Sequence, residues 1–169
     1  MPLSENSYQD ALAFAAKKHQ GQIRIGGEPY ISHPIAVADM VREWGFGLSF
    51  RITALFHDLL EDTDATEEDI FRIGGAEVLD AVRRLTKRKG YVMADYVQHI
   101  RENEIARVVK AADRLHNLRC AVVADDAFKR KYILESLEWY LDFSPQILPA
   151  VRALALSMQT PVADHPLLS

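Results

Sequence analysis

The sequence predicts an all-α fold, a single compact helical bundle of about eight helices or more. Apolar residues recur at helical spacing along nearly the whole chain, and no segment convincingly alternates apolar and polar residues as a strand would. The chain has 169 residues, of which 49% are hydrophobic and 26% are charged. This length and composition suit one soluble domain with a substantial core. We expect the domain to span residues 1–160 and residues 161–169 to form a short tail.

Helix boundaries follow from capping residues, prolines and glycines. Pro34 suits the first turn of a helix, because that position needs no backbone N–H donor. Thr66 and Asp69 have the spacing of a capping box, and the short helix that they begin ends at Gly74-Gly75. Ser49 is a candidate N-cap for the helix that follows it. In full, the pattern predicts helices over residues 7–19, 35–44, 49–62, 66–74, 76–87, 93–102, 104–123, 128–143 and 145–158.

Composition excludes several classes of protein. The formal net charge of −4 and the isoelectric point near 5.9 argue against general nucleic-acid binding. The single cysteine, Cys120, excludes a disulfide framework and a zinc ribbon. No stretch reaches the roughly 18 apolar residues of a membrane span, and the N-terminus does not resemble a signal peptide. We therefore expect a cytoplasmic protein with neither a nucleic-acid nor a membrane partner.

The helix predicted over residues 49–62 carries acidic and apolar side chains on different faces. With His57 as the origin, Glu61, Asp58 and Asp62 lie at roughly 40°, 100° and 140° around the helix axis. Like charges this close destabilise a helix, so a cation should offset them. A divalent metal would do so, because its charge favours ionised ligands and lets carboxylates crowd. The alternative is a solvated acidic patch beside a surface histidine.

Two further segments supply candidate partners for this acidic face. His33 lies where an irregular segment meets a helix, so it is either a metal ligand or a helix-capping or turn residue. In the helix predicted over residues 104–123, Lys110 and Asn117 lie within about 60° of Asp113 on one polar face. Aspartate has no propensity reason to lie in mid-helix, which favours a functional role for Asp113. Lys110 and Asn117 could instead belong to a solvated face.

Three motifs in this order carry a family resemblance. They are Tyr-Ile-Ser-His-Pro at residues 30–34, His-Asp-Leu-Leu-Glu-Asp at 57–62 and Lys-Ala-Ala-Asp-Arg-Leu-His-Asn at 110–117. Together they resemble the HD-superfamily hydrolase domain of RelA/SpoT proteins, over residues 11–119. Those domains remove the 3′-diphosphate from guanosine tetra- and pentaphosphate alarmones. With no synthetase half in the sequence, the chain is similar to stand-alone small alarmone hydrolases, which include the metazoan SpoT homologues.

The resemblance implies a metal site and a catalytic pair in an HD-type phosphohydrolase domain. The metal ligands that it implies are His33, His57, Asp58 and Asp113. Two imidazoles and two carboxylates suit manganese, and we expect one Mn²⁺ ion as the cofactor. The implied role of Glu61 and Asp62 is to orient and deprotonate the attacking water.

The resemblance also implies contacts with a small phosphorylated nucleotide. Arg24 matches the arginine that packs against guanine, and Asn117 matches the asparagine that contacts the nucleoside. Lys110 shares a helix face with Asp113, so we expect it to contact phosphate or to support the metal ligands. The chain departs from the family at Ile25, where a lysine is frequent, and at Cys120, where a threonine is frequent.

These two departures leave alternatives open. The expected activity is manganese-dependent hydrolysis of guanosine 3′,5′-bis(diphosphate) at the 3′ position, which releases pyrophosphate and GDP or GTP. The alternatives are a metal-dependent phosphohydrolase acting on another nucleotide, such as NADPH, and a non-catalytic nucleotide-binding module. A basic run over residues 83–89 either receives a polyanionic nucleotide or complements the dipole at a helix C-terminus.

Overall fold

The all-α prediction is confirmed. The computed structural model describes residues 2–162 and 165–168, and within them the only β-type pairing is an isolated antiparallel bridge between Ile23 and Pro29. The helices are α1 (Glu5–Lys18), α2 (Ser32–Glu43), α3 (Leu48–Phe56), α4 (Leu59–Asp62), α5 (Glu67–Leu85), α6 (Met93–Arg101), α7 (Glu104–Cys120), α8 (Asp126–Trp139) and α9 (Ile147–Leu156). Two 3₁₀ helices, Ala121–Val123 and Leu141–Phe143, follow α7 and α8.

Two further sequence expectations concern membrane-spanning helices and the division of the chain into a domain and a tail. None of the helices among the described residues is long and apolar enough to cross a bilayer. Of the domain and tail predicted over residues 1–160 and 161–169, positions 1, 163, 164 and 169 lie outside the described residues. The boundary at residue 160 stays a prediction.

Local sequence signals account for the shape of α5. The Thr66 side chain accepts a hydrogen bond from the Asp69 backbone N–H (3.2 Å), and the Asp69 carboxylate accepts one from the Thr66 backbone N–H (3.0 Å). The predicted capping box is therefore confirmed. Where the sequence predicts two helices, α5 is one kinked element, with Gly75 at φ 82° and ψ −174°. Glycine adopts this backbone conformation without the steric penalty of a side chain.

The continuous helix predicted over residues 49–62 is wrong. α3 ends at Phe56, residues 57 and 58 form an irregular turn, and the four-residue α4 follows. Successive side chains of a regular helix point about 100° apart, which would separate His57 from Asp58. The irregular turn instead brings His57 Nε2 within 3.0 Å of Asp58 Oδ2. The break therefore allows two consecutive residues to face one point.

The core is built around α7, which packs against α2, α3, α5, α6 and α9. α3 is enclosed, since the five consecutive residues from Ile52 to Phe56 are all buried. A helix buried on all sides is anchored by apolar packing rather than by its ends. The irregular turn follows α3 directly, so the packing of α3 on α7 sets the distance between the two parts of the site.

Phe56→Ala should lower the free energy of unfolding by about 3–5 kcal/mol, because a large buried ring is replaced by a cavity. Phe56 is fully buried and meets Phe14 edge to face, with ring centroids 6.0 Å apart. Phe71→Ala is the matched control, since this ring is 54% exposed and its loss should change stability by less than about 0.5 kcal/mol. Urea denaturation measures both variants, and equal effects would contradict this placement of Phe56.

Candidate active site

Four side chains from three parts of the fold converge on one point, and we call them the metal cluster: His33, His57, Asp58 and Asp113. His33 Nε2 lies 2.9 Å from Asp113 Oδ1, and His57 Nε2 lies 3.3 Å from the same oxygen. Asp58 Oδ2 is 3.0 Å from His57 Nε2 and 4.0 Å from His33 Nε2. Ligand atoms of His33, His57 and Asp58 all lie within 4.8 Å of one another. The structure thus brings together all four residues that the sequence proposes as ligands.

The tautomer and burial of His57 fit a bound cation. His57 Nδ1 donates a hydrogen bond to the Ala54 carbonyl oxygen at 2.6 Å, which leaves a lone pair on Nε2 when the ring is neutral. His57 Nε2 is buried and, within the described part of the chain, makes no hydrogen bond of suitable geometry, although Asp58 Oδ2 lies 3.0 Å away. A buried ring nitrogen without a partner is costly, whereas a metal beside two carboxylates would use its lone pair. These nitrogen and oxygen donors suit a divalent first-row metal.

Without a metal, the cluster stabilises charges of both signs within itself. Burial alone would lower the pKa of His57, but the carboxylates of Asp58 and Asp113 raise it well above its ordinary value. Burial would raise the pKa of Asp58, yet His57 lowers it to about 2. Burial would likewise raise the pKa of Asp113, but nearby positive charge, chiefly that of Lys110, holds it well below its ordinary value. Both carboxylates are therefore ionised at neutral pH, as metal ligands must be.

Three neighbours fix the orientation of the two carboxylates. Asn117 Nδ2 donates to Asp113 Oδ1 at 2.9 Å, and Lys110 Nζ donates to Asp113 Oδ2 at 3.2 Å. The Tyr30 hydroxyl donates to Asp58 Oδ2. Such partners of metal ligands restrict their rotamers and tune their basicity. Asp113 thus has an orienting donor on each oxygen.

The predicted substrate residues Arg24 and Asn117 lie together, and Lys110 lies deeper. Arg24 Nη2 donates to Asn117 Oδ1 at 3.1 Å. Lys110 is buried, with Nζ 5.7 Å from the centre of the Tyr96 ring and 5.4 Å from that of Tyr140. Burial opposes its charge, but Tyr96 and Asp113 raise its pKa well above the ordinary value. Of the two roles that the sequence suggests for Lys110, this geometry favours support of a metal ligand.

A cavity of about 340 Å³ opens over the metal cluster, and we call it the site cavity. The residues that line it besides the cluster include Arg24, Glu61, Asp62, Lys87, Asn117 and Lys131. The predicted acidic pair, Glu61 and Asp62, thus borders the same space as the predicted ligands. Glu61 Oε1 accepts a hydrogen bond from the Lys87 backbone N–H at 2.6 Å. Partial burial of its carboxyl group, and then the charges of Asp58 and Glu61, raise the pKa of Asp62 to about 6, although the residue as a whole is exposed.

The basic run over residues 83–89 does not act as one patch. Arg83 and Arg88 both pair with Glu67, at 2.5 Å and 3.2 Å. Arg84 pairs with Asp80 at 3.1 Å. Lys87, by contrast, lines the site cavity. Within this run, Lys87 is the residue with access to a ligand over the metal cluster.

The two departures from the family pattern lie on one small neighbouring cavity of about 150 Å³, which we call the side cavity. Ile25 and Cys120 line it together with Phe128, and its border with the site cavity includes Arg24 and Tyr132. The side cavity thus adjoins the site cavity at Arg24. The two departures therefore change the lining of the side cavity and do not involve the metal cluster.

Sequence reasoning assigned no role to several side chains that line or support the site. Tyr30 belongs to the first motif, and its place three residues before His33 is the signal that marks it. His116 belongs to the third motif, three residues after Asp113, and its Nδ1 lies 2.7 Å from His33 Nδ1. Arg114 is buried and pairs with Glu135 of α8, a contact between helices that no local spacing predicts.

The sequence profile of the HD domain family matches residues 11–144. The chain belongs to the HD domain family. The matched range includes the whole metal cluster together with Glu61 and Asp62. Membership of the HD superfamily, which the three motifs indicate, is thereby confirmed.

Relatives of this HD domain include much longer proteins. The GTP pyrophosphokinase of Myxococcus xanthus is 34% identical over 144 residues, covering 77% of this chain and 19% of the relative. The guanosine-3′,5′-bis(diphosphate) 3′-pyrophosphohydrolase of Haemophilus influenzae is 35% identical over 137 residues, covering 75% of this chain and 20% of the relative. The chain therefore spans about a fifth of the length of the curated relatives that it matches.

A solved structure has the same fold over almost its whole length. It belongs to a metazoan ortholog of SpoT that hydrolyzes ppGpp, and it superposes with a TM-score of 0.68. The superposition covers 93% of this chain and 94% of the other, at 24% sequence identity. The likeness establishes that this HD domain has the fold of that protein.

In the metal-free protein, the Asp62 carboxyl should titrate with a pKa of about 6, as followed by the ¹³C NMR shift of that carbon. Glu61→Gln removes a negative charge that raises this pKa, so the midpoint should move to lower pH. Glu68→Gln, at an exposed position, is the matched control and should leave the midpoint unchanged. A midpoint near 4 in the unmodified protein would contradict this electrostatic account.

The raised pKa of Asp62 also makes the stability of the folded protein depend on pH. The ordinary pKa of an aspartate is about 3.8, so the folded protein holds the Asp62 proton more tightly than the unfolded chain. The contribution of Asp62 to stability is therefore fully present below about pH 4 and is lost as the pH rises through about 6.

Proposed function

We propose that this HD domain is a manganese-dependent 3′-pyrophosphohydrolase of guanosine 3′,5′-bis(diphosphate) and its pentaphosphate form. Water attacks the phosphorus bound to the ribose 3′-oxygen, the bond to that oxygen breaks, and the 3′-oxygen takes up a proton. The products are pyrophosphate and GDP or GTP. One observation carries the proposal: two imidazoles and two carboxylates meet beneath a cavity that Glu61 and Asp62 also line. The Haemophilus influenzae relative named for this activity supports the choice of substrate. Because this substrate is an intracellular nucleotide, we also propose a cytoplasmic location.

The proposed ligands of the metal are the four residues of the metal cluster. Manganese suits their mixture of nitrogen and oxygen donors. When bound there, the ion would promote deprotonation of water and neutralise charge on the phosphoryl oxygens. Asn117 and Lys110 would hold Asp113 in place while the ligand set closes around the ion.

Glu61 and Asp62 are the residues proposed to orient the attacking water and accept its proton. In the metal-free protein the pKa of Asp62 is about 6, so its carboxylate is ionised at neutral pH, as a proton acceptor must be. The Lys87 backbone N–H holds the Glu61 carboxylate at the rim of the site cavity. Asp62 is therefore the proposed proton acceptor, and the hydrogen bond to Glu61 holds that carboxylate in place.

The proposed substrate matches the charges and shape above the cluster. Lys87 and Lys131 line the site cavity and would face the phosphate groups. Arg24 lies at the border of the site and side cavities, where it can stack on a base while contacting Asn117. The apolar lining of the side cavity by Ile25 and Cys120 favours a second candidate, hydrolysis of another phosphorylated nucleotide such as NADPH.

A substrate panel with the purified, manganese-loaded protein tests the proposal. Pyrophosphate should be released from guanosine 3′,5′-bis(diphosphate), and chelation of the metal should abolish the release. Orthophosphate released from NADPH alone would favour the second candidate. Binding of either nucleotide without turnover would identify a non-catalytic binding module and contradict the proposal.

The Glu61→Gln/Asp62→Asn double variant tests the role of the acidic pair separately from metal binding. It should lower kcat by about 100-fold or more while binding Mn²⁺ with unchanged affinity in calorimetry. Glu68→Gln is the control, since Glu68 is exposed and is not among the residues lining the site cavity. Full activity in the double variant would contradict the role assigned to this pair.

A further inference from the structure

The two histidines of the metal cluster have different hydrogen-bond partners. His57 Nδ1 donates to a backbone carbonyl oxygen, the usual partner for a metal-binding imidazole. The partner of His33 Nδ1 is another imidazole, His116 Nδ1, at 2.7 Å. The ring centroids are 5.0 Å apart and the ring planes are inclined by 26°, so the two rings meet edge to edge. His116 is half-buried on α7, one turn beyond Asp113, and the proposed chemistry does not use it.

A single hydrogen lies between the two Nδ1 atoms, and the nitrogen to which it is bonded determines whether His33 can bind a metal. When His33 Nδ1 carries it, His33 Nε2 has a free lone pair that faces Asp58 and Asp113. When His116 Nδ1 carries it, neutral His33 has its hydrogen on Nε2 and donates to Asp113 at 2.9 Å. A protonated Nε2 cannot coordinate a metal.

We propose that His116 is a positioning residue that accepts the hydrogen bond from His33 Nδ1 and so holds His33 in the tautomer that can bind metal. This inference rests on the metal site of the proposed function. His116 itself stays outside the coordination sphere, because its Nδ1 is directed at His33 rather than at the carboxylates. The effect on the metal is exerted entirely through the His33 ring.

The other side of the His116 ring completes the hydrogen-bond chain. In this arrangement His116 carries its hydrogen on Nε2, which lies 3.5 Å from Cys120 Sγ. A thiol sulfur is a weak acceptor, so Cys120 supports this tautomer without fixing it strongly. The chain therefore runs from His33 through His116 to Cys120, and two of its three members lie one turn apart on α7.

Calorimetric titration of the full chain with Mn²⁺, in the absence of nucleotide, tests the proposal. His116→Leu keeps a similar shape but has no acceptor, and it should weaken Mn²⁺ binding by about 10- to 100-fold. His116→Asn offers a side-chain oxygen near the position of Nδ1 and should restore affinity to within a few-fold of the unmodified protein. His99→Leu, an exposed histidine of α6, is the matched control and should bind Mn²⁺ normally.

A second measurement uses the unmodified protein and so does not depend on the folding of a variant. In ¹⁵N-histidine NMR of the Zn²⁺-loaded protein, His33 should carry its hydrogen on Nδ1 and His116 should carry its own on Nε2. A hydrogen on His116 Nδ1 would overturn the proposal, as would equal Mn²⁺ affinity in His116→Leu and the unmodified protein. Failure of the unmodified protein to bind any divalent metal would instead refute the metal site of the proposed function.

Discussion

The site depends on the contacts of the buried Asp113 carboxylate. Its two oxygens meet both cluster imidazoles, the ammonium of Lys110 and the amide of Asn117. A buried carboxylate without such partners would cost several kcal/mol and would become protonated. Asp113 also lies on the helix around which the core is built. The hydrophobic packing and the candidate active site are therefore parts of one structure, in which α2 and the turn after α3 place His33 and His57 beside a carboxylate held by α7.

The irregular turn at residues 57 and 58 is the second constraint. It places an imidazole and a carboxylate from consecutive residues on one point and directs α4 along the cavity rim. Glu61 and Asp62 consequently lie beside the cluster without belonging to it. This separation lets Asp58 stay ionised while the pKa of Asp62 rises to about 6. Neighbouring carboxylates with such different pKa values are suited to different tasks, binding a cation and accepting a proton.

The sequence predicts most helices because periodicity and caps are local properties, and the family resemblance of its three motifs implies the four cluster residues. It does not predict the break after Phe56, since helical periodicity continues through it and only the shared contact of His57 and Asp58 reveals it. A helical wheel places Lys110 on a polar face but cannot show that this face is internal. The pairing of Arg83 and Arg88 with Glu67 is made across the kink of α5, and the hydrogen bond between His116 and His33 joins α7 to α2. Such contacts depend on how helices pack, which no single segment encodes.

The position of the bond that breaks is the central claim, and an isotope measurement tests it most directly. Turnover of guanosine 3′,5′-bis(diphosphate) in H₂¹⁸O with the manganese-loaded protein is followed by mass spectrometry of both products. Attack of water on the phosphorus next to the 3′-oxygen predicts one ¹⁸O atom in each pyrophosphate and none in GDP. Labelled orthophosphate, or ¹⁸O in the ribose of GDP, would contradict the account.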